Sequence, residues 1–146
     1  MKSFSSFLLE SEGIVKEIHG SVFHSKYYPK DKTLYDRIKY LHPSEVDREE
    51  HIIYEVKGKV VGDLGLQVNP YEKGKYWLKH ISVDPKFKNQ GIATKLIDAM
   101  FKKAEKEKMG IQRSSPSEEG KKYLTDLMNR MKQKYPHVSV EDAKRY

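Results

Sequence analysis

Between residues 50 and 110 three strand-like runs, separated only by tight turns, lead straight into a long amphipathic helix. No other feature of the chain narrows its fold as far. EHIIYEVKG ends at Gly58 and KVVGDLGLQV follows, so a Lys57-Gly58 turn joins two apolar runs, which is a hairpin signal. The turn-rich stretch from Asn69 to Gly74 feeds a third run, KYWLKHISV, over 75–83. Three consecutive strands of this kind predict an antiparallel meander. Asp84-Pro85 ends it. From Gly91 the spacing of Ile92, Leu96, Ala99, Met100 and Ala104 predicts a helix with lysines on its outer face, and Gly110 is expected to close it. A short strand at 111–114 follows. A second helix begins at Ser117 and runs to Tyr135, with Leu124, Leu127, Met128 and Met131 as its stripe. Only 137–140 remains for a last strand. The expected class is α+β, three-layered, with a mixed and mainly antiparallel sheet flanked by helices.

Ahead of the meander the signals are shorter. Ser3 caps a helix over 3–11 whose Phe4, Phe7 and Leu8 share a face, and Gly13 ends it. Residues 14–30 fit either a strand or a short helix. Leu34, Tyr35 and Ile38 predict a helix over 31–40, and the acidic stretch 44–50 reads as exposed. The chain thus divides into an amphipathic segment, 1–12, and one domain, 13–146. A total of 146 residues suits a single domain.

Charge is distributed unevenly. Residues 1–73 carry 11 basic and 12 acidic groups, whereas 74–146 carry 17 and 9. The second half therefore suits an anionic partner, be it a phosphorylated cofactor, nucleic acid or an acidic protein, or else it is a solvated lysine surface. The absence of cysteine excludes disulfides, thiolate zinc and cysteine nucleophiles, and no metal site is assigned. It also suits a reducing, cytoplasmic compartment. No apolar run approaches the roughly 18 residues of a membrane-spanning helix.

The segment richest in chemistry is the strand, loop and helix of HISVDPKFKNQGIATKLIDAMFKKA. First-turn amides of a helix lack intrahelical partners and sit at the positive end of its dipole. Gly91 and Ala93 let a ligand approach that backbone, Lys86 and Lys88 add charge, and Thr94 adds a hydroxyl. These features suit a pyrophosphate. Neither a G-x-x-x-x-G-K-[ST] string nor a G-x-G-x-x-G string is present.

This segment resembles the acetyl-CoA-binding motif of the GNAT N-acetyltransferase superfamily, in which a loop of pattern [QR]-x-x-G-x-[GA] joins a central strand to a helix. Here the pattern reads Lys88-Asn89-Gln90-Gly91-Ile92-Ala93, with Lys88 where the family prefers Gln or Arg. Lysine keeps the charge and loses the planar fork. The order of elements over about 14–135 resembles the family as well. The resemblance implies acetyl-CoA as cosubstrate, with pyrophosphate contacts from Lys88 through Thr94 and pantetheine contacts from the backbone of Ile81, Ser82 and Val83. It also implies Tyr123 as the acid that protonates the departing thiolate. No residue stands out as general base. Glu55, Asp63 and His80 all fall on strands, and His80, nearest the cofactor strand, is the one retained.

MKSFSSFLLE is similar to the capsid-targeting leader of internal proteins of large tailed bacteriophages, with Leu8-Leu9-Glu10 as its cleavage signal. That likeness implies a protein packaged in a virion and delivered to the host. The reading is thus an acetyl-CoA-dependent N-acetyltransferase acting on a primary amine of a protein or small molecule. One alternative is a non-catalytic CoA-binding relative. Another is a basic nucleic-acid-binding protein with Tyr27, Tyr28, Trp77 and Phe87 as stacking groups. The acidic stretch at 45–50 either attracts a cationic acceptor or is a solvated loop.

Overall fold

The computed structural model describes residues 13–27, 49–87, 90–113 and 118–142, with backbone alone for His24 and for 118–123. The expected helices at 3–11 and 31–40, the Leu8-Leu9-Glu10 signal, Tyr28, Lys88, Asn89 and the side chain of Tyr123 lie outside the described residues.

Of the stretch 14–30, the described residues 14–27 take both of the forms the sequence allows. Ile14–His19 is a strand (β1), and Gly20–Lys26 is a short helix (α1) whose first turn is capped by the His19 ring, which accepts from the Ser21 N–H. The meander forms as expected: β2 is Glu50–Val56, β3 is Lys59–Val68 and β4 is Lys75–Val83. Lys57 and Gly58 both have positive φ, 51° and 79°, the mirror-image turn that suits the twist of a tight hairpin. A single 3₁₀ turn, Pro85–Phe87, leads toward helix α2, Ile92–Glu107. Then come β5 (Gly110–Arg113), α3 (Glu118–Lys134) and β6 (Val140–Asp142). The last strand begins at the residue where the sequence pattern predicts its end.

The six strands lie in sequence order. β1 to β4 pair antiparallel, whereas β5 runs parallel to β4 and β6 parallel to β5. Each long helix is thus a crossover between parallel neighbours. Alternation along β2 sorts its side chains: Ile52 and Tyr54 join the main core with α2 and α3, while Ile53 joins Phe23, Tyr27 and Val60 beneath α1. This makes three layers. At the far end of the main core the Phe101 and Tyr135 rings stack 6.0 Å apart, and Asp98 receives bonds from Lys134 (2.8 Å) and the Tyr135 hydroxyl (2.9 Å).

Two sequence expectations change. The residue that closes α2 in the left-handed region is Lys108 (φ 58°), not Gly110. Its N–H reaches the Glu105 carbonyl and that of Met109 reaches Ala104, a Schellman pattern. Gly110 is glycine because an added Cβ would stand 2.4 Å from the Ser139 hydroxyl. Glu49, read as exposed, is fully buried, for reasons given below.

Gly62 sets how closely α2 approaches the sheet. A Cβ there would meet Ile92 Cγ2 at 2.8 Å and Leu96 Cδ1 at 3.1 Å. We expect Gly62→Val to cost about 1–3 kcal/mol by overpacking. Urea denaturation checks this, and an unchanged midpoint would show that α2 is not seated there.

Candidate active site

The ladder between β3 and β4 slips at one point. Gly65 stands opposite His80 and Leu66 opposite Leu78, so Lys79 is an extra residue, a β-bulge. Its first consequence is a change of face. Tyr76 and Leu78 point into the main core, and beyond the bulge it is Ile81 and Val83 that pack there, while His80 takes the opposite face. Its second consequence is an opening. β4 pairs with β5 only from Lys75 to Leu78. From Lys79 to Val83 its ladder partners among the described residues are on β3 alone. Among the described residues, one edge of this half-strand thus has no ladder partner, and its backbone groups suit an extended ligand.

The same end of β4 leads to the start of α2. Asp84 shapes the connection. Its N–H donates to the Val61 carbonyl (2.8 Å), and its Oδ1 accepts from the Lys86 N–H (3.0 Å). Gly91 sits at the N-cap in the left-handed region, φ 73° and ψ 14°, with no side-chain cap among the described residues. The first intrahelical bond runs from the Lys95 N–H to the Gly91 carbonyl. The amides of Ile92, Ala93 and Thr94 thus precede the helical ladder and face outward along its axis. Among the described residues, nothing lies within 4 Å of where a Gly91 Cβ would be. A positive helix end beside a half-paired strand fits a long ligand with a pyrophosphate at one end.

The profile of the acetyltransferase (GNAT) family matches residues 15–119. The chain belongs to the GNAT family. Solved structures with the same fold include an aminoglycoside acetyltransferase from an uncultured soil metagenomic sample. In complex with trehalose and with sisomicin it gives TM-scores of 0.62 and 0.61, at 13% identity over 94% of this chain and 97% of that one. Another is the ribosomal-protein-alanine N-acetyltransferase of Brucella melitensis biovar Abortus 2308 (TM-score 0.56, 19% identity, 92% and 96% covered). A GNAT acetyltransferase of Brucella melitensis, in complex with acetyl-CoA, gives a TM-score of 0.50 at 18% identity over 68% and 73%. No curated protein sequence matches the chain.

In this GNAT chain the structure brings the sequence-assigned residues Ile81, Ser82 and Val83 to the half-paired edge and Gln90 through Thr94 to the helix end. Gln90 and Gly91 are exposed, Ala93 and Thr94 half-buried. Ile92 is 2% exposed, so its side chain belongs to the core and only its amide faces the loop. Tyr27, proposed as a stacking group, is buried instead. Its hydroxyl donates to Glu55, and burial together with that carboxylate pushes the phenol up to about 12.

His80 does not stand alone. Asp63 lies buried between two rings, accepting at 2.8 Å from His51 Nδ1 and at 2.8 Å from His80 Nε2. Glu49 faces the far nitrogens of both rings. Burial pushes Asp63 up, but the two histidines outweigh it and hold its carboxyl well below the usual range. Burial likewise lowers His80, and Asp63 and Glu49 more than reverse that. Burial pushes Glu49 up against the two histidines. Sequence reasoning missed Glu49 and His51, because their meeting with His80 depends on a hairpin register and a bulge.

Proposed function

We propose that the protein is an acetyl-CoA-dependent N-acetyltransferase of a primary amine. The half-paired β4 beside the uncapped N-terminus of α2 carries the reading. The pantetheine arm would pair with the Lys79–Val83 backbone, and the pyrophosphate would rest on the amides of Ile92 to Thr94. The amine attacks the thioester carbonyl carbon, the C–N bond forms and the C–S bond breaks. Tyr123, on α3, would donate its hydroxyl proton to the departing thiolate. The reading gives His80 a positioning part, since its ring is turned into the buried cluster and its side chain is 5% exposed. The cationic amine would lose one proton to water before it attacks and a second as the amide forms, and the second, relayed through water, would restore the Tyr123 hydroxyl.

The acceptor is a cationic amine of a small molecule or protein, as the names of the aminoglycoside and ribosomal-protein enzymes suggest by likeness of fold. The leader reading adds cleavage after Glu10 and delivery into a host cytoplasm by a virion. Among the described residues no helix is long and apolar enough to cross a membrane.

Tyr123→Phe tests the chemistry. Turnover of an identified amine should fall by about 10²–10⁴-fold, with acetyl-CoA affinity kept. Full turnover in this variant would remove Tyr123 from the reaction. A wild-type protein that binds acetyl-CoA and acetylates no amine in a broad screen would favour the non-catalytic relative.

A further inference from the structure

Four strand and near-strand residues converge on the α1 face of the sheet. Gly65 lies at the centre of this group, opposite His51 on β2 and opposite His80 on β4. A Cβ at Gly65 would stand 2.3 Å from the His80 ring and 2.7 Å from Glu49 Oε2, so the missing side chain is what makes room for them. Phe23 of α1 stacks on His51 at 4.0 Å and 4°, closing the group from above.

The hydrogen bonds leave this group with a surplus of acceptors. The Asp63 carboxylate accepts from one nitrogen of each ring, which places a proton on His51 Nδ1 and on His80 Nε2. When a ring carries that proton alone, as it must to bind a metal ion, its other nitrogen presents a lone pair. His51 Nε2 and His80 Nδ1 face Glu49 Oε2 at 3.5 and 3.7 Å, too far for hydrogen bonds. Among the described residues, both Glu49 oxygens and both of these nitrogens are buried without a hydrogen-bond partner. Enclosing several acceptors without a donor is costly. The two ring-to-carboxylate spacings, 3.5 and 3.7 Å, are a few tenths of an ångström wider than the about 3.3–3.4 Å that separates neighbouring donors around an ion with tetrahedral bonds of about 2.0–2.1 Å, so a small inward shift would bring them onto one ion. The chosen ligand atoms of Glu49, His51 and His80 all lie within 4.8 Å of one another.

We infer that Glu49, His51 and His80 form a buried binding site for a divalent transition-metal ion, with Zn²⁺ as the best fit to two imidazoles and one carboxylate. Asp63 orients both rings from behind, the part that a carboxylate plays toward metal-bound histidines. The ion locks β2, β3 and β4 together beside the bulge, and so fixes the half-strand that frames the proposed cofactor notch. The site stands on its own geometry and does not depend on the acetyltransferase reading.

The test uses the full, tag-free chain. Zn²⁺ added to chelator-treated protein should bind at one ion per chain and raise the thermal midpoint. Co²⁺ in its place should give the intense visible bands of a tetrahedral site. Glu49→Gln, close in shape, should weaken Zn²⁺ binding by at least about 100-fold. A wild-type chain with no bound Zn²⁺, no Co²⁺ bands and no thermal shift would overturn the inference, and would mean that protons fill the cluster instead. Equal Zn²⁺ affinity in wild type and Glu49→Gln would also overturn it. Should the variant fail to fold, the wild-type Co²⁺ spectrum still decides. Acetyl-CoA binding, measured on the same samples, reports separately on the notch.

Discussion

Gly91→Glu should weaken acetyl-CoA binding by at least about 100-fold, or roughly 2.7 kcal/mol, with a loss of stability of no more than about 1–2 kcal/mol. Gly91 occupies the left-handed region, where a side chain costs about 1–2 kcal/mol. No described residue stands within 4 Å of where its Cβ would be, so those residues leave room for the new side chain. The carboxylate, however, would lie at the helix end and take the amides that the pyrophosphate needs. Gly91→Asn separates strain from charge, since asparagine tolerates this conformation and is neutral. It should bind within about tenfold of wild type. Isothermal titration with acetyl-CoA measures both variants. Equal affinity in wild type and Gly91→Glu would mean that the pyrophosphate is held elsewhere.

Asp63→Ala should cost about 3–5 kcal/mol, the range for breaking a buried charged network. The carboxylate is fully buried and is the partner of two ring nitrogens at 2.8 Å. Its removal leaves both N–H groups without an acceptor, inside a region that water does not reach. Asp63→Asn should cost clearly less, because the amide oxygen still accepts from one ring and the amide nitrogen donates to the other after a change of tautomer. Urea denaturation of the two variants gives the comparison. Equal and small losses would show that Asp63 is a bystander.

The outline of this fold could be read from residue patterns where local rules govern. Lys57-Gly58 gave its hairpin, the stripe from Ile92 to Ala104 its helix, and the loop around Gly91 its family likeness. What escaped depends on register. Nothing in KYWLKHISV announces that Lys79 is an extra residue, yet that residue decides which face His80 takes and where β4 parts from β5. Glu49 reads as one more charge in an acidic run. It is buried because β2 begins just after it and carries it against the histidines. Lys108 closes α2 against the expectation for Gly110, since the Schellman bonds are made by backbone and a lysine can bear the strain at an exposed helix end.

The most direct test of the central claim is amide hydrogen exchange of the wild-type chain with and without saturating acetyl-CoA. The account predicts that protection on binding concentrates in Lys79–Val83, whose ladder partners are on β3 alone among the described residues, and in residues 91–94 at the start of α2. Protection confined to other strands, or none at all, would contradict it.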